Sequence, residues 1–270
     1  GCRSVVSIYD LSFFRFPQAT NSRGTLLYLK YFSRRACRTA DGIHAISEAT
    51  KKDIREVYGT DADKIRVIYL DAPKAKRTAE AGKTFHPKAP YFLFVSTIEP
   101  RKNLITLLKA YERFMENTRQ ETDLVLAGRM GWKTNEFSEA LRQHAYRNRI
   151  HVIGYVDEEK KKTLLKHAEA LLYPSLYEGF GLPVLEAMQC GLPVITTRVS
   201  SMPEVGGDAA LYVEHPTDPD ELARQMEHIV LMSEKEKAVL RDKMEKNCRR
   251  FSWEKTAHEM MTLLTGAAAS

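Results

Sequence analysis

Between Tyr91 and Val213 the chain alternates short apolar runs with longer amphipathic stretches, and this alternation limits its fold more than any other feature. Tyr91–Ser96, Asp123–Ala127, Ile150–Ile153, Ala170–Tyr173, Pro193–Thr197 and Ala209–Val213 have the length and β-branched or aromatic content of buried strands. Leu104–Asn117, Glu136–Tyr146, Glu158–His167 and Pro183–Cys190 have helical periodicity, and helices at Pro219–Leu231, Glu234–Arg249 and Trp253–Leu264 close the chain. Apolar strands separated by helices predict a parallel sheet covered on both faces. A shorter series of the same kind precedes it. Ser4–Tyr9, Ile43–Ile46 and Ile65–Tyr69 read as strands, Asn21–Thr39 as a basic amphipathic helix, and Ser47 caps a helix through Tyr58 with Thr50 supporting its start. Asp10–Pro17 reads as a loop, and the polar, aperiodic segment Asp71–Pro90 as a linker.

Bulk properties narrow the function. There are 41 Lys and Arg against 35 Asp and Glu, a net charge of +6, which favours an anionic partner. The charge is spread along the chain, so nothing calls for a nucleic acid. Cys2, Cys37, Cys190 and Cys248 are too scattered for a zinc site and read as free thiols. No apolar run is long enough to cross a membrane, and the N-terminus has no signal-peptide pattern. An opening at Gly1 on a strand-like run is expected of a trimmed or partial chain.

The chemistry is expected in Tyr173–Gly191, which runs strand, glycine loop, helix. Gly179 and Gly181 allow close backbone approach to a ligand, Pro183 fits the first helical turn, and Gly191 fits the stop. The free amides and positive dipole end of the helix suit an anion such as a diphosphate. Glu178 in the loop and Glu186 in the helix make sense beside phosphates if the ligand also brings sugar hydroxyls. A glycosidase would use two carboxylates without a phosphate cradle. A dinucleotide-binding dehydrogenase would open on GxGxxG, which is absent.

Glu178 and Glu186 with GFGLPVLEAMQCGLPVI around them resemble the signature of the retaining family 4 (group 1) glycosyltransferases. VSTIEPRKN (Val95–Asn103), LAGRMGW (Leu126–Trp132), VIGYV (Val152–Val156), MPEVGGDAALYV (Met202–Val213) and FSWEKTA (Phe251–Ala257) extend the resemblance, in a mannosyl- or rhamnosyltransferase-like variant. HAISEAT and KIRVIY (His44–Tyr69) match the end of the family's N-terminal domain. The resemblance implies a GT-B type α/β fold: a partial N-terminal α/β domain over 1–75, a linker over 76–89, a complete nucleotide-sugar-binding Rossmann-like domain over 90–251, and a helix over 252–270 crossing back. It implies transfer of a hexose from a GDP- or UDP-linked donor to a glycan or lipid-linked acceptor, with retention and with no cofactor or metal. Arg101, Lys102 and Glu178 would act at the reacting sugar and diphosphate. Glu186 would hold the ribose, and the backbone of Tyr155 and Val156 would read the base. Gly179, Phe180, Gly181 and Leu182 would complete the phosphate cradle. The family's usual His-Asp pair is Tyr9-Asp10 here, and its usual Arg before the Lys is replaced by Ser96 and Thr97. With Tyr9 and the short N-terminal part, the alternative is a nucleotide-sugar-binding half-enzyme that self-associates or needs a partner and transfers poorly alone. A cytoplasmic location with peripheral contact at the inner membrane face is expected. The blander readings make His44 a core residue, Trp132 and Trp253 packing anchors, and Lys160–Lys162 a solvated helix face.

Overall fold

The computed structural model describes residues 3–17, 22–73 and 89–269. Cys2 lies outside them, and of the linker expected at 76–89 only Ala89 is inside.

In the N-terminal unit β1 (Val5–Ile8), β2 (Gly42–Ala45) and β3 (Ile65–Val67) form a parallel sheet in the order β1-β2-β3. The register pairs Val6 with Ile43 and Ile43 with Ile65. Helices α1 (Ser12–Arg15) and α2 (Arg23–Thr39) connect the first two strands, and α3 (Glu48–Tyr58) the last two. The loop expected at Asp10–Pro17 is therefore corrected to a loop holding one helical turn. The Asp10 carboxylate accepts the Ser12 amide at 2.9 Å and satisfies a donor the turn leaves over. Four residues are too few to display a 3.6-residue period.

The second unit runs β4 (Tyr91–Val95), α4 (Leu104–Thr118), β5 (Asp123–Ala127), α5 (Asn135–Gln143), β6 (Ile150–Gly154), α6 (Glu158–His167), β7 (Ala170–Tyr173), α7 (Leu182–Gln189), β8 (Val194–Thr197), α8 (Met202–Gly206), β9 (Leu211–Val213), α9 (Pro219–Leu231), α10 (Glu234–Cys248) and α11 (Trp253–Ala269). Its six strands are all parallel, in the order β6-β5-β4-β7-β8-β9. Every residue of β4, β5, β7 and β8 is buried, which is why those runs show no alternation. Helix α4 buries Leu104, Leu107, Leu108, Tyr111 and Phe114 on one stripe. Each such side chain contributes about 1.5–3 kcal/mol at most. The chain reverses its winding between β4 and β7, so a crevice opens at their carboxyl ends.

The two units touch through specific polar contacts. Ser47 caps α3 by accepting the Thr50 amide, and its hydroxyl donates to the Gly179 carbonyl at 2.6 Å. The Glu204 carboxylate, from the second unit, accepts the Glu48 and Ala49 amides at 2.7 Å each, so α3's positive end faces a negative charge. Tyr177 donates to Asp53 at 2.6 Å. Helix α11 lies against β1 and β2. Its Thr256 hydroxyl donates to the Tyr69 carbonyl at 2.6 Å, and the Trp253 indole to Ala72 at 3.2 Å.

Candidate functional site

Two loops leave the switch point. After β4 the chain makes a 3-10 turn at Pro100–Lys102, and Asn103 enters α4 from a left-handed conformation (φ 60°). After β7 it runs through Pro174–Gly181 into α7. Asn103 ties them by donating its side-chain amide to the Pro174 carbonyl at 3.1 Å, and the Leu176 amide donates to the Arg101 carbonyl at 2.9 Å. Residues far apart in sequence are thereby held side by side.

The tie brings Arg101, Lys102 and Glu178 into one buried cluster. The Lys102 ammonium reaches Glu178 at 2.5 Å and the Tyr173 hydroxyl at 2.8 Å. The Arg101 guanidinium contacts Glu178 at 2.9 Å, Glu99 at 2.7 Å and the Tyr177 carbonyl at 2.6 Å. Burial works against a charge on Lys102, but Tyr173 and Glu178 outweigh it and the ammonium pKa lies above its ordinary value. Burial chiefly pushes the Tyr173 phenol up, so it stays protonated at neutral pH, and Glu178 is the charge that holds Lys102. Burial likewise works to raise the Glu178 carboxyl, and Lys102 and Arg101 bring it below its ordinary range. The carboxylates of Glu99 and Glu178 balance the two cations, and the cluster is neutral as a set. Glu99 announces itself only as an acid two residues before Arg101, and the sequence reading passed over it.

Arg101 and Glu99 line a cleft of about 530 Å³ between the two units, with Tyr9, Asp10, Phe13, Phe16 and Trp132. Trp132 is thus at the cleft and part-exposed, where packing alone was expected. His44 is a core residue, its ring nitrogens meeting the Ser7 hydroxyl at 3.1 Å and the Ile68 carbonyl at 2.9 Å.

The glycine loop has its own demands. A β-carbon at Gly179 would stand 2.2 Å from the Tyr9 carbonyl oxygen, so Gly179 lets the N-terminal unit approach. Gly181 caps α7 at φ 109°, and a β-carbon there would strike Met202 at 2.4 Å. Phe180 is buried against Tyr69 and Phe251. Leu182 opens α7, with Pro183 in its first turn.

The family profile described as glycosyl transferases group 1 matches residues 75–251. The chain belongs to this family. The profile of glycosyltransferase family 4 matches residues 1–70. The O-antigen chain mannosyltransferase B of Escherichia coli is 31% identical over 261 residues, covering 93% of this chain and 67% of that protein. The serotype-specific mannosyltransferase WbdA of the same organism is 29% identical over 234 residues; the match covers 81% of this chain and 28% of the relative. Among solved structures, Anabaena HepE in complex with UDP and glucose superposes with a TM-score of 0.76 at 18% identity, over 97% of this chain and 71% of that one. Sucrose-phosphate synthase from Thermosynechococcus elongatus gives 0.74 at 22%, over 98% and 68%. These likenesses show the GT-B fold.

Within that fold Glu186 lies apart from the cation cluster's contacts. It sits on α7 in a second concavity of about 280 Å³ with Pro73, Glu158, Lys161, Leu165 and Gln189. Lys161 bonds it at 2.7 Å. Burial raises the Glu186 carboxyl above its ordinary value despite Lys161. Burial also opposes charge on Lys161, but Glu186 and Glu158 together raise it. The reading of Lys160–Lys162 as a solvated face is therefore corrected at Lys161, whose side chain is only 15% exposed. Nothing local in the sequence distinguishes it from its neighbours. Tyr155 and Val156 follow the carboxyl end of β6; Tyr155 is exposed, with the Arg129 guanidinium 4.7 Å from its ring centre.

Proposed function

We propose that this chain binds a nucleoside-diphosphate sugar between β4 and β7 and serves transfer of its hexose, with mannose the leading candidate, to a hydroxyl of a glycan or lipid-linked acceptor. The observation that carries this reading is the Arg101–Lys102–Glu178 cluster at the sheet's switch point, open through Arg101 and Glu99 to the cleft between the units. Membership in the group 1 glycosyltransferases supports it, and so do relatives named as mannosyltransferases. O-antigen or a related surface polysaccharide is the product class those names suggest.

In this reading the diphosphate meets Lys102, Arg101 and the amides that open α7. These groups stabilise the negative charge that grows on the leaving diphosphate, and because they are already fixed in place they need no reorganisation during the reaction. Glu178 accepts hydrogen bonds from hydroxyls of the transferred sugar, and Glu186 from the ribose. The exposed segment at Tyr155–Val156 borders the base. The acceptor approaches through the cleft, where Tyr9 and Trp132 offer apolar ring faces and Asp10 and Glu99 offer carboxylates. Approach on the same face the diphosphate leaves gives retention.

The test is to supply GDP-mannose, UDP-glucose and their relatives with oligosaccharide and lipid-linked acceptors. Product is followed by mass spectrometry, and its anomeric configuration by proton NMR. An α-mannoside formed from an α-linked donor is expected. Turnover with inversion would overturn the mechanism, and failure of every donor to bind would overturn the site.

A further inference from the structure

The backbone of the glycine loop is held by hydroxyls from both units. The Ser201 hydroxyl shares its proton between the Glu178 and Phe180 carbonyls, at 3.0 and 2.8 Å. The Gly179 carbonyl between them accepts the Ser47 hydroxyl at 2.6 Å, and the Thr50 hydroxyl stands 3.3 Å from the same oxygen. Ahead of them the Glu178 amide donates to the Ser200 hydroxyl at 2.9 Å. The consecutive peptide groups from Tyr177–Glu178 to Phe180–Gly181 are thus each tied to a serine. Ser47 and Ser201 are fully buried. Ser200 reaches its place in a left-handed conformation (φ 46°), which is costly for a residue with a side chain. Ser47 stands between β2 and α3 in the N-terminal unit, 132 residues before Gly179.

These ties decide which way the amides of the loop face. In a trans peptide the N–H points opposite the C=O, and no described peptide is cis. The Gly179 and Gly181 amides therefore point away from Ser201, and the Phe180 amide points away from Ser47. Left untied, these planes would turn easily, because Gly179 and Gly181 have no β-carbon to hinder the rotation. A turned plane offers a phosphate a carbonyl oxygen, which repels it, in place of an N–H. We infer that Ser47 and Ser201 are positioning residues for the donor. They fix the peptide planes whose amides meet the diphosphate, and Ser47 makes that fixing depend on contact between the two units. The identity of the ligand rests on the transferase reading. Serines that only filled the interface would, when removed, weaken every ligand alike. Positioning residues act on the part of the ligand that lies over the loop.

The test uses two independent variants of the full chain. Ser47 also caps α3 by accepting the Thr50 amide, so it is changed to glycine, which keeps most of the capping preference. Thr50→Val is added so that the neighbouring hydroxyl cannot take over the Gly179 carbonyl. The Ser201 side chain makes no capping bond to α8, so Ser201→Ala removes the tie alone. GDP-mannose and UDP-glucose are titrated by calorimetry. Guanosine and uridine, which carry no phosphate, are titrated by NMR as the reference. A neutral hydrogen bond corresponds to about fivefold in an equilibrium. Each variant should weaken the diphosphate sugar by about that factor and leave the nucleoside within about twofold. Ser47→Thr, which restores a hydroxyl, should recover most of the loss. Melting temperatures verify that the variants fold, and Ser201→Ala carries the test if the Ser47→Gly, Thr50→Val pair does not. A parent that binds the diphosphate sugar no more tightly than the folded variants overturns the inference. Equal weakening of sugar nucleotide and nucleoside also overturns it, since the serines would then be structural only. A parent that binds no diphosphate sugar overturns the transferase reading, and this inference with it.

Discussion

Replacing Glu178 with Gln should tighten the binding of a nucleoside diphosphate while weakening the empty protein. Glu178 contacts both site cations, Arg101 at 2.9 Å and Lys102 at 2.5 Å, and with Glu99 it brings the cluster to neutrality. An arriving diphosphate therefore competes with a carboxylate already in place. The substitution leaves one net positive charge. A unit charge about 6 Å from a phosphate, at an effective dielectric of about 20, contributes about 3 kcal/mol, and solvent in the open cleft reduces this. We expect roughly tenfold tighter binding of GDP or UDP by calorimetry at low salt, with the gain shrinking as salt rises. Without ligand, two buried cations lose a charged partner. Breaking such a buried pair costs about 3–5 kcal/mol, and glutamine keeps one acceptor oxygen, so about 3 kcal/mol is expected. For a chain of this size that lowers the melting temperature by about 10 °C. The nucleotide should restore more stability to the variant than to the parent. The full nucleotide sugar should gain less than the bare diphosphate, because it also loses a sugar contact. If Glu178→Gln weakens diphosphate binding instead, the carboxylate is not a competitor for the cations and the electrostatic account of the site fails.

Three other consequences follow from named contacts. Burial raises Glu186 above the 4.5 of an ordinary glutamate while Lys161 opposes the rise. Nucleoside binding that needs the ionised form should therefore fade, as pH falls, above the ordinary carboxylate range, and Lys161→Met should move the midpoint further up; an unmoved midpoint in calorimetry across pH would remove Glu186 from the ribose site. At Gly179 a methyl group would collide with the Tyr9 carbonyl at 2.2 Å, so Gly179→Ala should cost about 1–3 kcal/mol by denaturant titration and loosen the contact between units, while an unchanged midpoint would refute the close approach. Tyr177→Phe removes the hydroxyl that donates to Asp53 at 2.6 Å and should cost about 1.5–3 kcal/mol by denaturant titration, with a smaller loss expected if Asp53→Ala, which leaves no acceptor, is already present; an equal loss in both backgrounds would refute the coupling.

The sheet of the second unit was legible because its central strands are buried on both faces. Runs such as FLFV and LVLA fit a strand that helices cover on both sides. The helix at Met202–Gly206 was not read, since five residues hold little more than one turn and its boundaries are set by tertiary contacts. The pairing of Arg101 and Lys102 with Glu178 follows from Asn103 bridging the two switch-point loops, a contact spanning 71 residues that no local pattern encodes. Lys161 escaped for the opposite reason. It stands in a run of lysines, and only the packing of α6 beside α7 separates it from solvent. Glu204 read as one acid in a matched block, and its use as a cap for α3 depends on the two units meeting.

The central claim is that Lys102 and Arg101 bind the diphosphate of a sugar nucleotide. It is tested most directly by calorimetric titration of the folded chain with a panel of nucleoside-diphosphate sugars, alongside Lys102→Met and Arg101→Lys. At least one donor should bind in a 1:1 ratio, and each variant should weaken it roughly ten- to a hundredfold, as for loss of a charge-assisted hydrogen bond. The same donor binding both folded variants as tightly as the parent would contradict the account.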